Sequence, residues 1–215
     1  MLPFRSEAHA DRAIPLVGRH LASGGQLAYP TETVYGLGSS LEAEALAALA
    51  ELKGRAPGKP FLLLVAGRAM AEREGLVFNA SAAALAEAFW PGPLTLVLPG
   101  GEGRLPDQLR GPEGGIAVRF TGHALVARLI RGLDTPLTST SANLPGMPPA
   151  PGPARIVEMF RDAVETGRLL VLDGGVLGNV PSSTLVDCTG LMPRIVREGA
   201  IPRAELRRGI GRLAP

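Results

Sequence analysis

Hydrophobic and polar positions along the chain follow helical and strand periods in an irregular order. Helical spacing of apolar residues, with glycine and proline stops, predicts helices at 11–23, 41–52, 81–89, 124–131, 154–166 and 201–210. Apolar runs predict strands at 26–29, 61–65, 94–98, 116–120, 136–140, 169–172, 183–186 and 194–196. Because several strands follow each other through short turns, residues 1–215 are predicted to form a single α/β or α+β domain around a mixed twisted sheet.

Three local signals between these elements add detail. Ser40 is predicted to cap the helix at 41–52. The glycine-rich segment 100–115 has no period and is predicted to be a long mobile loop. The segment 144–153 contains five prolines and two glycines, which predicts a stiff loop. Whether this loop closes over a site as a lid stays open at this point.

The composition is typical of a soluble globular protein, since 46% of the residues are hydrophobic and 20% are charged. No apolar run has the length of a membrane span, and the N-terminal segment lacks the apolar region of a secretory signal. The single cysteine, Cys188, excludes an internal disulfide and a cysteine-based zinc cluster. These features predict a cytoplasmic protein without a membrane partner.

The overall charge does not indicate a nucleic-acid-binding protein. The formal net charge is only +2, and aromatic residues make up 4% of the chain. Binding through bulk charge or through aromatic stacking platforms therefore has little support from composition.

Both lysines of the chain, Lys53 and Lys59, lie within seven residues that follow the predicted end of a helix. Arg55, Gly54 and Gly58 lie between them. The lysine ammonium is a compact point charge that suits phosphate, and glycine allows backbone N–H groups to approach a polyphosphate. The spacing is not that of a Walker A loop, and no G-x-G-x-x-G follows a strand. The loop predicts a polyphosphate site of unusual form, and the alternative is a solvated surface turn.

Hydroxyl groups are concentrated in the segment 28–38, which also contains both tyrosines. Residues at i and i+2 face the same side of a strand, so Thr31, Thr33 and Tyr35 are predicted to present their hydroxyls in one row. The alternative is that threonine and tyrosine are simply favourable strand residues.

A second polar segment, Ser-Thr-Ser-Ala-Asn at 139–143, follows a predicted strand. It has no histidine nearby and no G-x-S-x-G elbow, which argues against a serine hydrolase. Hydrogen bonding to phosphate, ribose or an amino acid suits these side chains better.

The sequence predicts no metal ligand. The three histidines lack ligand-like spacing, and Asp173 before two glycines is interpreted as a turn residue.

Taken in order, these motifs are similar to those of a known family. PTETVYGLG at 30–38, KGR at 53–55 with KP at 59–60, and STSAN at 139–143 resemble the YrdC family, the threonylcarbamoyl-AMP synthases of tRNA modification. The likeness extends over nearly the whole chain. It implies a YrdC-like twisted open mixed sheet with flanking helices and a concave face.

The resemblance also implies roles for individual residues, and it makes Lys53 and Arg55 the catalytic pair. The implied ATP-binding residues are Lys53, Arg55, Lys59, Gly115, Ser141, Asn143, Pro149 and Arg197. The implied L-threonine-binding residues are Thr31, Thr33, Tyr35, Arg119, Ser139 and Ser183. The chain departs from the family pattern where an inserted serine makes Ser182 an alternative to Ser183, and at Leu64, near which many relatives carry histidine.

The implied activity forms threonylcarbamoyl-AMP and pyrophosphate from L-threonine, bicarbonate and ATP, with Mg²⁺ accompanying the ATP. The threonylcarbamoyl group would later reach tRNA through partner proteins. One alternative is a double-stranded-RNA or tRNA-binding module without catalysis, whose affinity would fall steeply with salt. Another is a carbamoyl-transfer domain of the hydrogenase-maturation type, but the C-x-x-C pairs of those proteins do not occur in this sequence.

Overall fold

The computed structural model describes residues 1–56 and 58–210. The strands are β1 (Leu2–Pro3), β2 (Gln26–Tyr29), β3 (Gly36–Gly38), β4 (Leu62–Val65), β5 (Leu94–Leu98), β6 (Ile116–Phe120), β7 (Leu137–Ser141), β8 (Leu169–Asp173), β9 (Thr184–Asp187) and β10 (Arg194–Arg197). The helices are α1 (Glu7–Ala22), α2 (Ala43–Lys53), α3 (Arg68–Arg73), α4 (Ala80–Phe89), α5 (Ala124–Leu133), α6 (Pro153–Met159), α7 (Arg161–Glu165) and α8 (Arg203–Ile210).

All ten strands of the described residues join one sheet, in the order β1-β8-β2-β3-β7-β4-β6-β5-β9-β10. The pairs β1–β8, β2–β8, β4–β6 and β5–β9 are parallel, and the other pairs are antiparallel. The predicted mixed α/β fold is thereby confirmed. Because β7 lies between β3 and β4, the sheet brings the segment 139–143 between the segment 30–38 and the lysine loop.

The core forms around the central strands of the sheet. Leu63 and Leu64 of β4 are fully buried, which is what the unbroken apolar run of this strand predicts. Leu94 and Leu96 of β5 are fully buried as well, on the face opposite to the polar Thr95. Helix α1 packs against α5, whose apolar stripe is buried in the same core. No helix of the described residues has the length and hydropathy that crossing a membrane requires.

The segment 30–35 does not continue the strand, as the alternation of its threonines had suggested, but forms a bend between β2 and β3. The backbone N–H groups of Thr33 and Val34 both donate to the Thr31 hydroxyl, at 3.2 Å each. A threonine hydroxyl that takes up local backbone donors stabilises a turn in place of a strand ladder. The predicted strand conformation at Thr31, Thr33 and Tyr35 is therefore wrong.

Two helix predictions also need correction. Helix α2 begins at Ala43 after Glu42, with no side-chain cap, so the predicted cap at Ser40 is wrong. The helix predicted at 154–166 consists of α6 and α7, because Phe160 between them departs from helical backbone angles (φ −121°, ψ 36°). Helix α3 was not predicted, since six residues are too few to show a helical period.

The glycine-rich loop 100–115 is long, as predicted, but parts of it are packed against the core. Leu105 and Leu109 are buried, and Asp107–Leu109 forms one turn of 3-10 helix. Its mobility stays a prediction.

Gly38 lies where β3 approaches β7 too closely for a side chain, since an added Cβ would overlap the carbonyl oxygen of Thr138. We expect Gly38→Ala to lower the free energy of unfolding by about 2–3 kcal/mol, because a backbone atom of a central strand cannot move aside. The control Gly178→Ala, where an added Cβ meets open space, should change it by less than about 0.5 kcal/mol. Urea unfolding measures both values, and equal stabilities would contradict the close approach.

Candidate functional site

A cavity of about 530 Å³ lies over the middle of the sheet, and β3, β4, β5, β6, β7, β9 and β10 all contribute to its wall. The predicted site residues that line it are Thr31, Thr33, Arg55, Lys59, Arg119, Ser139, Ser141, Pro149, Ser183 and Arg197. Lys53, Tyr35, Asn143 and Gly115 are not on this wall. The structure therefore brings most of the predicted residues together, although they come from distant parts of the chain.

The wall of this cavity carries positive charge. Arg55, Lys59, Arg119 and Arg197 line it, whereas no aspartate or glutamate of the described residues does so. Burial lowers the pKa of Arg197, and the Arg119 guanidinium adds to this effect. Burial also lowers the pKa of Arg55. Because burial disfavours the charged form of both guanidinium groups, a bound anion would stabilise them, so the site is suited to a ligand with several negative charges.

The bend at 30–35 positions two hydroxyls on one side of the cavity. The Thr31 hydroxyl donates to the Val34 carbonyl oxygen at 2.7 Å, and it lies 3.0 Å from the Thr33 hydroxyl. Nη1 of Arg119 is 3.4 Å from the same Thr33 oxygen. Thr33 is therefore held between Thr31 and Arg119, and its oxygen lies beside the buried guanidinium.

Tyr35 has a different place from the one expected. Its hydroxyl donates to the Gly175 carbonyl oxygen at 2.8 Å and accepts from the Gly174 N–H at 3.0 Å. These bonds connect the bend to the loop after β8, where Asp173 also accepts two bonds from Arg5 at 2.9 Å. Tyr35 thus supports the site from outside the cavity, and the expectation that it continues the row of threonine hydroxyls is wrong.

A further pair of hydroxyls lies on strand β5 and directly before strand β9. Thr95 Oγ1 and Ser183 Oγ are 2.8 Å apart and buried, and both line the cavity. Nη2 of Arg197 donates to the Ser183 carbonyl oxygen at 2.8 Å. Thr95 was missed by sequence reasoning, and its only signal is a single polar residue within an apolar strand. Ser182 lines the cavity as well, so both serines stay candidates.

Arg55 is held rigidly at the other side of the cavity. Its guanidinium donates to the carbonyl oxygens of Lys59 and Pro60, at 2.9 and 2.5 Å, and to the Thr140 hydroxyl at 2.9 Å. It also lies 4.7 Å from the centre of the Phe61 ring. The left-handed Gly54 (φ 61°) ends helix α2 and turns the chain toward this position. None of the hydrogen-bond partners is anionic, so the positive charge of Arg55 stays available to a ligand.

Lys53 occupies a position beside the cavity and is largely buried. Its Nζ donates to the carbonyl oxygens of Ser141, at 2.7 Å, and of Asn143, and also to the Asn143 side-chain oxygen. An ammonium group has three donors, so these three oxygens use all of them. Asn143 in turn donates to the Met147 carbonyl oxygen at 2.5 Å. Lys53 therefore anchors the segment that leads from β7 to Pro149 on the cavity wall.

The segments that build this cavity match a known protein family. The family model described as "Telomere recombination", for the Sua5/YciO/YrdC domain, matches residues 19–199. This range contains every residue that lines the cavity. The chain belongs to the Sua5/YciO/YrdC family. Membership confirms the resemblance that the motifs predicted, and it extends that resemblance to the strands between them.

Relatives within the Sua5/YciO/YrdC family are similar over most of this chain. A threonylcarbamoyl-AMP synthase of Pyrococcus abyssi is 33% identical over 201 residues, which are 93% of this chain and 58% of the relative. One of Thiobacillus denitrificans is 39% identical over 178 residues, which are 82% of this chain and 92% of the relative. The crystal structure of P. abyssi Sua5 complexed with L-threonine has a TM-score of 0.86 and 32% identity, and the match covers 99% of this chain and 61% of that chain.

The family does not by itself assign a role to single residues of this chain. An added Cβ at Gly115 would meet the side chains of Val97 and Thr189, so this glycine has a packing role at the start of β6. Asn143 is held by Lys53 beside the cavity. Contacts of either residue with ATP stay predictions. Leu64 is fully buried and does not line the cavity, so it does not supply the polar contact that a histidine there would offer.

Lys53 leads to a pH-dependent prediction. Burial, with a smaller contribution from Arg55, lowers the pKa of Lys53 to about 8, so its positive charge is lost as the pH rises through that value. We expect affinity for a nonhydrolysable ATP analogue to fall by about tenfold between about pH 7.5 and 9.5, because a nearby charge and the anchor of the 141–149 segment are both weakened.

The matched control is Lys53→Met, which has a similar length and no charge. Its affinity should be lower at about pH 7.5 and nearly independent of pH, so that the wild-type curve approaches it at alkaline pH. Calorimetric titrations across this range measure both curves. Parallel curves would show that the charge of Lys53 does not contribute to binding.

Proposed function

We propose that this chain is a threonylcarbamoyl-AMP synthase, which forms threonylcarbamoyl-AMP and pyrophosphate from L-threonine, bicarbonate and ATP. The proposal rests on one cavity with two groups of cations on its wall. One group is the buried Arg119 with hydroxyls around it, and the other is Arg55 with Lys59. The names of the relatives, and the L-threonine bound to P. abyssi Sua5, support the same activity.

Arg119 and its neighbouring hydroxyls form the amino-acid side of the cavity. A guanidinium group pairs with a carboxylate through two parallel hydrogen bonds, so Arg119 binds the carboxylate of L-threonine. The hydroxyls of Thr33, Ser139, Ser183 and Thr95 lie on the same wall. They offer donors and acceptors for the hydroxyl and amino groups of the substrate.

The nucleotide side is formed by Arg55 and Lys59, with Ser141 and Pro149 on the same wall. Arg197, which donates to the Ser183 carbonyl oxygen, adds a further cation between this side and Arg119. These cations bind the phosphates of ATP. Lys53 lies outside the wall and acts indirectly, since its three hydrogen bonds hold the segment that carries Ser141. This arrangement makes Arg55 the residue that touches phosphate and Lys53 the one that positions the binding segment.

The chemistry follows from bringing anions together. The amino group of L-threonine condenses with bicarbonate to form a carbamate and water. A carbamate oxygen then bonds to the α-phosphorus of ATP, and the bond from that phosphorus to the oxygen that bridges the α- and β-phosphates breaks to release pyrophosphate. Carbamate and polyphosphate repel each other, and the cationic wall offsets this repulsion. Positioning and charge stabilisation are thus the main contributions of the protein.

Mg²⁺ enters this scheme as part of the ATP substrate. The described residues contain no cluster of three or more histidine, cysteine, aspartate or glutamate side chains that suits a metal ion. Phosphate oxygens and water, which Mg²⁺ prefers when few carboxylates are near, would hold it.

Three wider features belong to the same proposal. Residues 1–215 act as a single domain, in keeping with one sheet that includes every described strand. The protein works in the cytoplasm, where its product is passed through partner proteins to an adenosine of tRNA. Direct binding of tRNA or double-stranded RNA without catalysis is the weaker alternative, because the names of the relatives favour the enzyme.

Incubation with ATP, L-threonine and bicarbonate, followed by mass analysis, tests this function. We expect threonylcarbamoyl-AMP and pyrophosphate only when all three substrates are present. Arg55→Ala and Lys53→Ala should each reduce the rate by about 100-fold or more, because charge-stabilising contacts or their positioning are lost. Arg12→Ala, an exposed arginine on α1, is the control with an unchanged rate. A well-folded Arg55→Ala variant with full turnover would contradict the assignment of Arg55.

The hydroxyl-lined wall also predicts the choice of amino acid. Valine has the shape of threonine but would leave buried donors and acceptors without partners, so it should be rejected by about 10⁴-fold or more. Serine keeps the hydroxyl and loses one methyl group, so its rate should fall by only about 10- to 200-fold. Pyrophosphate release measures the three rates. Equal rates with valine and serine would show that the pocket recognises shape alone.

A further inference from the structure

Glu32 lies between Thr31 and Thr33 in the sequence, yet it does not line the cavity. One carboxylate oxygen, Oε2, accepts a hydrogen bond from the Thr121 hydroxyl at 2.5 Å. The other, Oε1, is buried, has no hydrogen-bond partner among the described residues, and lies 3.9 Å from Nε of Arg119. That Nε is also buried and without a hydrogen bond. An ion pair thus lies directly behind the cavity wall.

Charge on Glu32 is maintained in this position. Burial alone would raise the pKa of Glu32, but the Arg119 guanidinium, the Thr121 hydroxyl and the backbone N–H groups of Glu32 and Gly122 together more than offset it and hold the pKa below its usual range. The side chain of Arg119 is only 4% exposed, and a buried charge is tolerated when it is paired. Glu32 is the carboxylate that pairs with it.

The contacts of Arg119 define how its guanidinium is oriented. Nε faces Glu32, and Nη1 points to the Thr33 hydroxyl at 3.4 Å. Nη2 makes no hydrogen bond to the described residues, while Arg119 lines the cavity. Thr121 fixes the carboxylate in turn, and its hydroxyl accepts from the His123 N–H at 3.2 Å, which connects it to the start of α5. The orientation is therefore determined from the side opposite to the ligand.

We infer that Glu32 is a positioning residue that holds Arg119 so that the terminal nitrogens of its guanidinium face the carboxylate of the amino-acid substrate. This inference rests on the proposed function, because it takes the ligand of Arg119 to be L-threonine. A bidentate pair depends on the angle of the guanidinium plane, so loss of Glu32 misaligns the Arg119 guanidinium with the substrate carboxylate. This loss of alignment outweighs the gain from removing a negative charge near an anion site.

Binding to the full chain tests this inference, with Glu32→Gln as the variant and Glu44→Gln, an exposed glutamate on α2, as the control. Calorimetry compares L-threonine with L-threoninol, which lacks the carboxylate, and with a nonhydrolysable ATP analogue. We expect Glu32→Gln to weaken L-threonine binding by about 10- to 100-fold, and to change the other two affinities by less than about twofold. In an Arg119→Ala background, Glu32→Gln should have no further effect on L-threonine.

Thr121→Val, which removes the hydroxyl that holds the carboxylate, is the second variant and keeps the test decisive if Glu32→Gln does not fold. It should weaken L-threonine binding selectively, as Glu32→Gln does, but by a smaller factor.

Equal or tighter binding of L-threonine by these variants than by the wild type, or a parallel loss of affinity for L-threoninol, would overturn the positioning role. Wild-type protein that binds L-threonine but releases no pyrophosphate with all three substrates overturns the proposed function and leaves the positioning role standing. Wild-type protein that does not bind L-threonine overturns both.

Discussion

Positive charge concentrated on one cavity wall is the constraint on which the site depends. Four cations line one cavity, and no carboxylate of the described residues shares its wall. Arg55 is held by neutral oxygens, and Arg119 has its acid, Glu32, behind the wall. The acid behind the wall at Arg119 and the neutral oxygens around Arg55 hold these two guanidinium groups in place while their charge remains available to an anionic substrate.

The order of the strands explains how this charge is gathered. The order of the strands in the sheet differs from their order in the sequence, so β7 separates β3 from β4, and β6 lies between β4 and β5. Residues at the ends of these strands, and in the bends that follow them, meet over the middle of the sheet. Lys53 and Tyr35 do not enter the cavity but tie neighbouring loops to it, which gives the site a rigid frame.

Apolar periods predicted the mixed fold, because burial on one or both faces of an element leaves a direct trace in the sequence. The lysine loop indicated Arg55 and Lys59 from the residues alone, whereas Arg119 and Arg197 were implied by the resemblance to the family. Thr95 could not be predicted in this way, because its position depends on the register between β5 and β9. The direction of Tyr35 depends on a bend stabilised by Thr31, and the alternation rule for strands does not describe such a bend.

The central claim is that one cavity binds an amino acid and a nucleoside triphosphate side by side. A crystal structure with L-threonine and a nonhydrolysable ATP analogue bound together tests it most directly. The account predicts the threonine carboxylate at about 2.7–2.9 Å from the terminal nitrogens of Arg119, with the phosphates on Arg55 and Lys59. Phosphate bound to Arg119, or either ligand bound outside this cavity, would contradict the account.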